Sequence, residues 1–418
     1  MSDQKGSQGP GQESPTLEAQ RPVRTGNLIV TLRDDVELDQ QVDAIKKVTK
    51  VQPSVGSLSD LALGQEVHAG ETILFKDFGV AVVAPAKGVE AASVSQNLNA
   101  ADEIIEARPE YYLFALRSHF EDTATRTWGI AATGVENSPF TGRGIKVAVL
   151  DTGLDFGHHD FQHLQIFKQD FVTPGGSAHD GHGHGTHCAG TVCGQPVRAD
   201  IPRYGVAPGI ELHIGKVLSD GGSGTEQGIL AGIAWAIDQG CHVISMSLGG
   251  TVRPGEAPNI LYERIGQRAL GLGSLIVAAA GNDSARVTGF IAPVNQPANS
   301  PAIMAVGAID QAFDIAYFSN GGINLNGGAV DIAGPGVNVF STTPLPRGYR
   351  TLGGTSMACP HVAGIAALWA ESDKNLRGQA LWDAVVKSAR KISPLGPRDV
   401  GAGLVQAPQG SSGSAAIA

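Results

Sequence analysis

The chain has 418 residues, a net charge of −10, 42% hydrophobic residues and 17% charged ones. That is long enough for a large core plus an accessory domain, and too apolar for a disordered protein. The acidic balance argues against nucleic acid and anionic membranes as partners, and no run reaches the ~18 apolar residues of a transmembrane helix.

Residues 1–24 are rich in Gly, Ser, Gln and Pro and read as a disordered tail. They lack the apolar core of a secretion signal, so the chain as given is expected in the cytoplasm or exported by another route, unless a signal has been removed. A small domain is expected over residues 25–118. It starts with a strand at Leu28–Leu32, followed by a helix over 36–50 with apolar residues at Val36, Val42, Ile45 and Val48. Strands at 73–75 and 78–83 flank a turn at Asp77, a short helix covers 89–98, and a closing strand interrupted by Pro109 runs over 104–116. This order is that of an α+β, ferredoxin-like sandwich. Residues 119–127 are polar and read as a linker and processing region.

A larger domain is expected over 128–406, where short, wholly apolar strands alternate with helices. The strands are placed at 145–150, 211–218, 242–248, 275–280 and 303–309. The helices are placed at 184–193, 225–239, 262–272, after Ser356, and at 379–391. Apolar strands alternating with helices imply a doubly wound parallel sheet covered on both faces, so the fold class is α/β. Residues 407–418 form a small-residue tail. The four cysteines are too few for a disulfide framework and are expected mostly as buried thiols, with a single disulfide as the alternative.

In such sheets the active site lies at the carboxyl ends of the strands. Asp151 directly follows the strand at 145–150, and Asn282 follows the one at 275–280. His184 and His187 lie in GHGTHCAG. Ser356 opens an all-apolar, hence buried, helix whose Pro360 is expected in the first turn. A serine hydroxyl needs an imidazole base, the imidazole needs a carboxylate, and the oxyanion needs fixed donors. Asp151, His184, Ser356 and Asn282 supply these four parts; an ordinary capping serine is the plainer alternative for Ser356.

The motifs VAVLDTGLD, HGTHCAGT and GTSMACPHVAG, in the order Asp, His, Ser, resemble those of the subtilisin-like serine proteases, the subtilases. The resemblance covers about 128–406. It implies that Asp151 orients and stabilises, His184 is the base, Ser356 the nucleophile, Asn282 the oxyanion donor and His187 a structural neighbour. It further implies that Gly222-Ser223-Gly224 and Ser247-Leu248-Gly249 pair with substrate backbone as added strands. Ala279-Ala280-Gly281 would line the pocket for the residue before the scissile bond, with its floor near Asn295. The small domain would be a prodomain acting as chaperone and intramolecular inhibitor, removed by self-cleavage between about 116 and 127; a permanent accessory domain is the alternative. No cofactor is needed for such chemistry. A structural calcium is raised by Asp160 and, at a weaker site, by Asp310 and Ala298, although the loop 194–204 lacks the family's Asn-rich sequence. Gln296-Pro297 falls where the family often has a cis-proline. Substrates would be proteins or peptides, and the protein a monomer.

Seven of the twelve histidines fall between His158 and His187, which raises a rival. His182, His184 and His187 have the spacing of a zinc hydrolase motif, but Thr186 stands where that motif wants an aspartate. A peptide-binding protein without catalysis would not require all four catalytic residues. A latent protease activated by a partner would share the chemistry.

Overall fold

The structure, a computed structural model, describes residues 24–56, 67–76, 78–111, 120–324 and 326–410. The outer parts of both expected tails, the turn at Asp77 and the end of the closing strand beyond 111 lie outside the described residues. The chain divides into two compact units, 1–116 and 117–418.

In the smaller unit the strands are β1 (Arg24–Leu32), β2 (Ser54–Gly56), β3 (Thr72–Phe75), β4 (Val80–Val83) and β5 (Ile104–Tyr111). Helices at Leu38–Thr49 and Ala91–Leu98 join them. The sheet order is β2-β3-β4-β1-β5. Without the short edge strand β2, which the sequence reading lacks, this is the β-α-β-β-α-β arrangement expected from the sequence. Leu28, Val30 and Leu32 alternate along β1 and are buried against Ile45 and Leu98 from the two helices.

The larger unit is built on seven parallel strands: β6 (Lys146–Asp151), β7 (Ile166–Asp170), β8 (Glu211–Lys216), β9 (Val243–Met246), β10 (Leu275–Ala279), β11 (Met304–Ile309) and β12 (Ile332–Pro335). Their order is β12-β11-β10-β9-β6-β8-β7. Strand order reverses around β6, and the crevice at such a switch point is where ligands bind in open α/β sheets. Both faces are covered. Val147 and Val149 of β6 join one core and Ala148 and Leu150 the other, which explains the continuous apolar run. The helix Thr355–Ser372 is buried along nearly its whole length, as its all-round apolar sequence requires. A hairpin of β13 (Val339–Thr342) and β14 (Tyr349–Leu352) precedes it. Among the described residues no helix is long and apolar enough to cross a membrane.

Three sequence readings change. The helix begins at Thr355, so Ser356 is its second residue, not its cap, and Pro360 lies beyond the first turn. There Pro360 has no N–H to give the Ser356 carbonyl. That carbonyl instead accepts the Ser247 hydroxyl at 2.8 Å, so the missing helical bond is replaced by a tie to β9's end. Residues 120–127 also behave differently from a linker. Asp122 Oδ1 accepts the Trp128 N–H at 2.7 Å, Thr127 N donates to Arg203 O at 2.9 Å, and Phe120 packs on Phe313 with ring centroids 5.1 Å apart. Their polarity serves helix capping and backbone pairing. At the other end, Ala407 N donates to Thr133 O, and Pro408 O accepts the Ser138 hydroxyl. All four cysteines are free and buried, and Gln296-Pro297 is cis.

Candidate active site

Asp151 ends β6 and is 1% exposed. Its Oδ1 accepts the Thr152 N–H and, at 2.8 Å, the His184 Nδ1–H. His184 opens the helix His184–Cys193, straight after Gly183 at φ 99°, a left-handed conformation that glycine adopts without strain. The free N–H groups at that helix start go to Asp180. Its Oδ2 accepts the Thr186 N–H and hydroxyl, while Oδ1 accepts Gly183 N–H and the Thr152 hydroxyl. Burial opposes charge on Asp180, yet these hydrogen bonds hold its carboxyl below the usual range. Thr152 thus links the residue next to Asp151 with the turn that carries His184, and its hydroxyl also accepts the Gly185 N–H.

The His184 ring keeps its Nε2 edge toward the cleft, with no partner on that nitrogen among the described residues. Burial disfavours the imidazolium, but the adjacent Asp151 carboxylate outweighs it and holds the ring well above its ordinary value. His187, three residues on, is turned the other way. Its Nε2 lies 3.1 Å from the carbonyls of both Val339 and Arg350, and burial pushes it down to about 4. Ser341 and Thr342 hydroxyls donate to the carbonyls of His187 and Thr186. The β13–β14 hairpin, which leads directly into the serine's helix, is therefore fastened to the histidine's helix.

Ser356 sits half-buried, with Oγ donating to the Ser247 carbonyl at 3.3 Å. It makes no hydrogen bond to His184 in this state; a hydroxyl on Cβ reaches a second acceptor by rotation about χ1. Cys188 lies under both residues, its Sγ 3.8 Å from His184 Nδ1 and 3.5 Å from Ser356 O. Asn282 follows Gly281, whose φ of 110° turns the chain out of β10. The Asn282 Oδ1 accepts both the N–H and the hydroxyl of Thr355, at 2.8 and 2.9 Å. With its oxygen occupied, the amide presents Nδ2–H₂ beside the helix start, free of partners among the described residues. Thr355 is fully buried and its hydroxyl also accepts the Gly281 N–H. It is a positioning residue for Asn282 that the sequence reading missed, as it missed Asp180. An aspartate ahead of a helix start is a capping signal that could have found the latter.

If Asn282 is an oxyanion donor, replacing it by alanine is expected to lower kcat roughly 10²–10³-fold, the range typical of one such side-chain donor, with KM little changed. Steady-state kinetics on a peptide substrate checks this; a raised KM at normal kcat would contradict the role.

The two edge segments are brought to the cleft. Gly222, Ser223, Gly224, Ser247, Leu248 and Gly249 line one cavity of about 510 Å³ together with His184. Ala279, Ala280 and Gly281 do not line it: Ala279 and Ala280 point into the two cores and are sealed by them. Asn295 is held by the carboxylate of Asp283 at 2.8 Å.

Asp160 is fully buried, but Oδ2 accepts the hydroxyls of Tyr204 and Tyr349, and Oδ1 the Val197 N–H. A calcium site offers about six to eight oxygens to the ion; here donors face the carboxylate instead, so Asp160 does not fit calcium. The cause is the loop 194–204, which brings Tyr204 to that place. Asp310 Oδ1 accepts the N–H groups of Ala312 and Asp314, in a turn. The three histidines of the zinc reading do not converge. Among the described residues the one group of three candidate ligands is Asp151, His184 and Cys188, and burial raises the Cys188 thiol, against a metal-binding thiolate.

Residues 142–411 match the sequence profile described as the subtilase family, peptidase S8. The chain is 43% identical over 245 residues to M-protease of Shouchella clausii (strain KSM-K16), 58% of each chain. It is 39% identical over 287 residues to alkaline elastase YaB of Bacillus sp. (strain YaB), covering 68% of this chain and 69% of that one. It is 43% identical over 245 residues to subtilisin Savinase of Lederbergia lenta, covering 58% of this chain and 82% of that one. Among solved structures it resembles sphericase, with a TM-score of 0.57 and 31% identity over 67% of this chain and 97% of the other.

Proposed function

The chain belongs to the subtilase family, and from that premise we propose that it is a serine endopeptidase made as a self-processing proprotein. The observation that carries the reading is the 2.8 Å bond from buried Asp151 to His184, beside a serine at the start of a buried helix. His184 Nε2 takes the proton of Ser356 Oγ as that oxygen attacks the peptide carbonyl. Asp151 fixes the tautomer and stabilises the imidazolium. The tetrahedral oxyanion is met by Asn282 Nδ2–H₂ and by N–H groups at the helix start, where the dipole adds its share. His184 then passes the proton to the leaving amine, the acyl group stays on Ser356, and water activated by His184 releases it.

The substrate backbone lies as an added strand between Gly222–Gly224 and Ser247–Gly249. In support, the backbone N–H groups of Gly224 and Gly249 donate to no group among the described residues. The smaller unit acts as intramolecular inhibitor and chaperone. Phe120 onward is tied to the larger unit, which favours cleavage on the N-terminal side of Phe120. The chemistry needs no metal or cofactor, and the substrates are proteins or peptides.

A fluorescent alkylphosphonate is expected to label the chain at Ser356 only, with activity lost in step and unaffected by a chelator that strips zinc. Labelling elsewhere, or inactivation by the chelator without labelling, would remove the proposal.

A further inference from the structure

The cavity beside His184 has a far end walled by Leu218, Ile229, Leu248 and Tyr262. Leu218 and Ile229 are each 8% exposed and Tyr262 2%, so this end is a fixed apolar shell. Into it looks one carboxylate, that of Glu226 in the first turn of the helix Glu226–Asp238. The Tyr262 hydroxyl lies against this carboxylate; burial and the neighbouring anion push the phenol up to about 12. No lysine or arginine lines the cavity, and Glu226 has no cationic partner among the described residues.

An apolar side chain covering Glu226 would strip water from a carboxylate that the Tyr262 hydroxyl meets but no cation balances, which costs free energy. A lysine or arginine would not. Its methylene stem lies on Leu218, Ile229 and Leu248 while its charged head reaches the carboxylate. We propose that this pocket selects a lysine or arginine side chain of the bound peptide, with Glu226 as the specificity-determining residue. The inference rests on the peptidase reading above and deepens it by naming a substrate class. The edges Gly222–Gly224 and Ser247–Gly249 hold the peptide extended, so side chains alternate and one of them enters this end. Glu226 itself is exposed, so water and salt moderate the pair.

The test is positional scanning with the full chain after titration of its active serine. Each position held by the two edges carries in turn arginine, lysine, norleucine or glutamate on an otherwise neutral peptide. At one position, arginine and lysine are expected to exceed norleucine in kcat/KM by roughly three- to tenfold, less at high salt. Glu226→Gln should remove most of that ratio and Glu226→Lys should shift it toward glutamate. Asp238→Asn, the same loss of charge at the other end of the same helix, should leave the ratio as it is. An arginine-to-norleucine ratio that survives Glu226→Gln, or that falls equally in Asp238→Asn, overturns the proposal. Hydrolysis of norleucine peptides without any basic preference overturns it while the peptidase reading stands. Failure to cleave any peptide overturns both.

Discussion

Ser356→Ala is expected to cut kcat by about 10⁶-fold, a magnitude known from subtilisin, and to leave the fold intact. The loss is large because the three groups act as a unit: without Oγ there is nothing for His184 to activate and no acyl-enzyme. Folding should survive because the hydroxyl contributes one 3.3 Å bond to the Ser247 carbonyl from a half-buried position, so stability should change by less than about 1 kcal/mol. Peptide kinetics and thermal unfolding measured on the same sample separate the two effects. The variant should also accumulate at full length, because proposed maturation depends on the same hydroxyl. A variant that matures unaided at the normal rate would show that another protease makes the cut, and retained turnover would end the nucleophile assignment.

Asp151→Asn is expected to lower kcat about 10⁴-fold, because an amide in place of the carboxylate favours the wrong imidazole tautomer and gives no charge to the imidazolium. It should also move the pH profile. In the unchanged protein Asp151 holds His184 well above its ordinary value against burial. His184 is a base only when neutral, so activity should rise with pH along a limb centred above about 6.5, the value of free imidazole. Without Asp151 burial is left, and the limb should move to lower pH. The linkage to stability has the opposite course. With its folded value raised, His184 stabilises the fold fully below about 6.5 and loses that contribution as pH rises through the folded value. Kinetics in a constant-ionic-strength buffer series checks the limb; an unmoved limb in Asp151→Asn would mean that another group sets it.

The elements legible in the sequence were those whose signal is local. The strands at 145–150 and 275–280 read correctly because parallel strands buried on both faces are apolar without interruption. β7 was missed because it is an edge strand with its middle three residues exposed, so neither alternation nor an apolar run marks it. β12 was missed because four residues ending in Gly-Pro carry almost no periodicity. The helix of Ser356 was legible from its apolar face on every side, but its first turn was misplaced. A proline reads as belonging to a first turn, and the compensating bond from Ser247, 109 residues away, cannot be seen in a short window.

The sequence by itself determined the α/β class, the four candidate catalytic side chains and the family, because each rests on a short motif in which glycines and apolar runs dictate the local backbone. The tertiary structure alone decided which groups hold those side chains. Asp180 and Thr152 brace His184, Thr355 turns the Asn282 amide outward, and the β13–β14 hairpin fastens the helix of His184 to that of Ser356. It also decided that two tyrosines take Asp160 away from a calcium role, and that Glu226 looks into an apolar pocket beside His184. The physical reason is the order β9-β6-β8 at the switch point. It brings together strand ends far apart in the chain, so the hydrogen bonds and the Glu226 carboxylate of the cleft depend on sheet order, which no local pattern encodes.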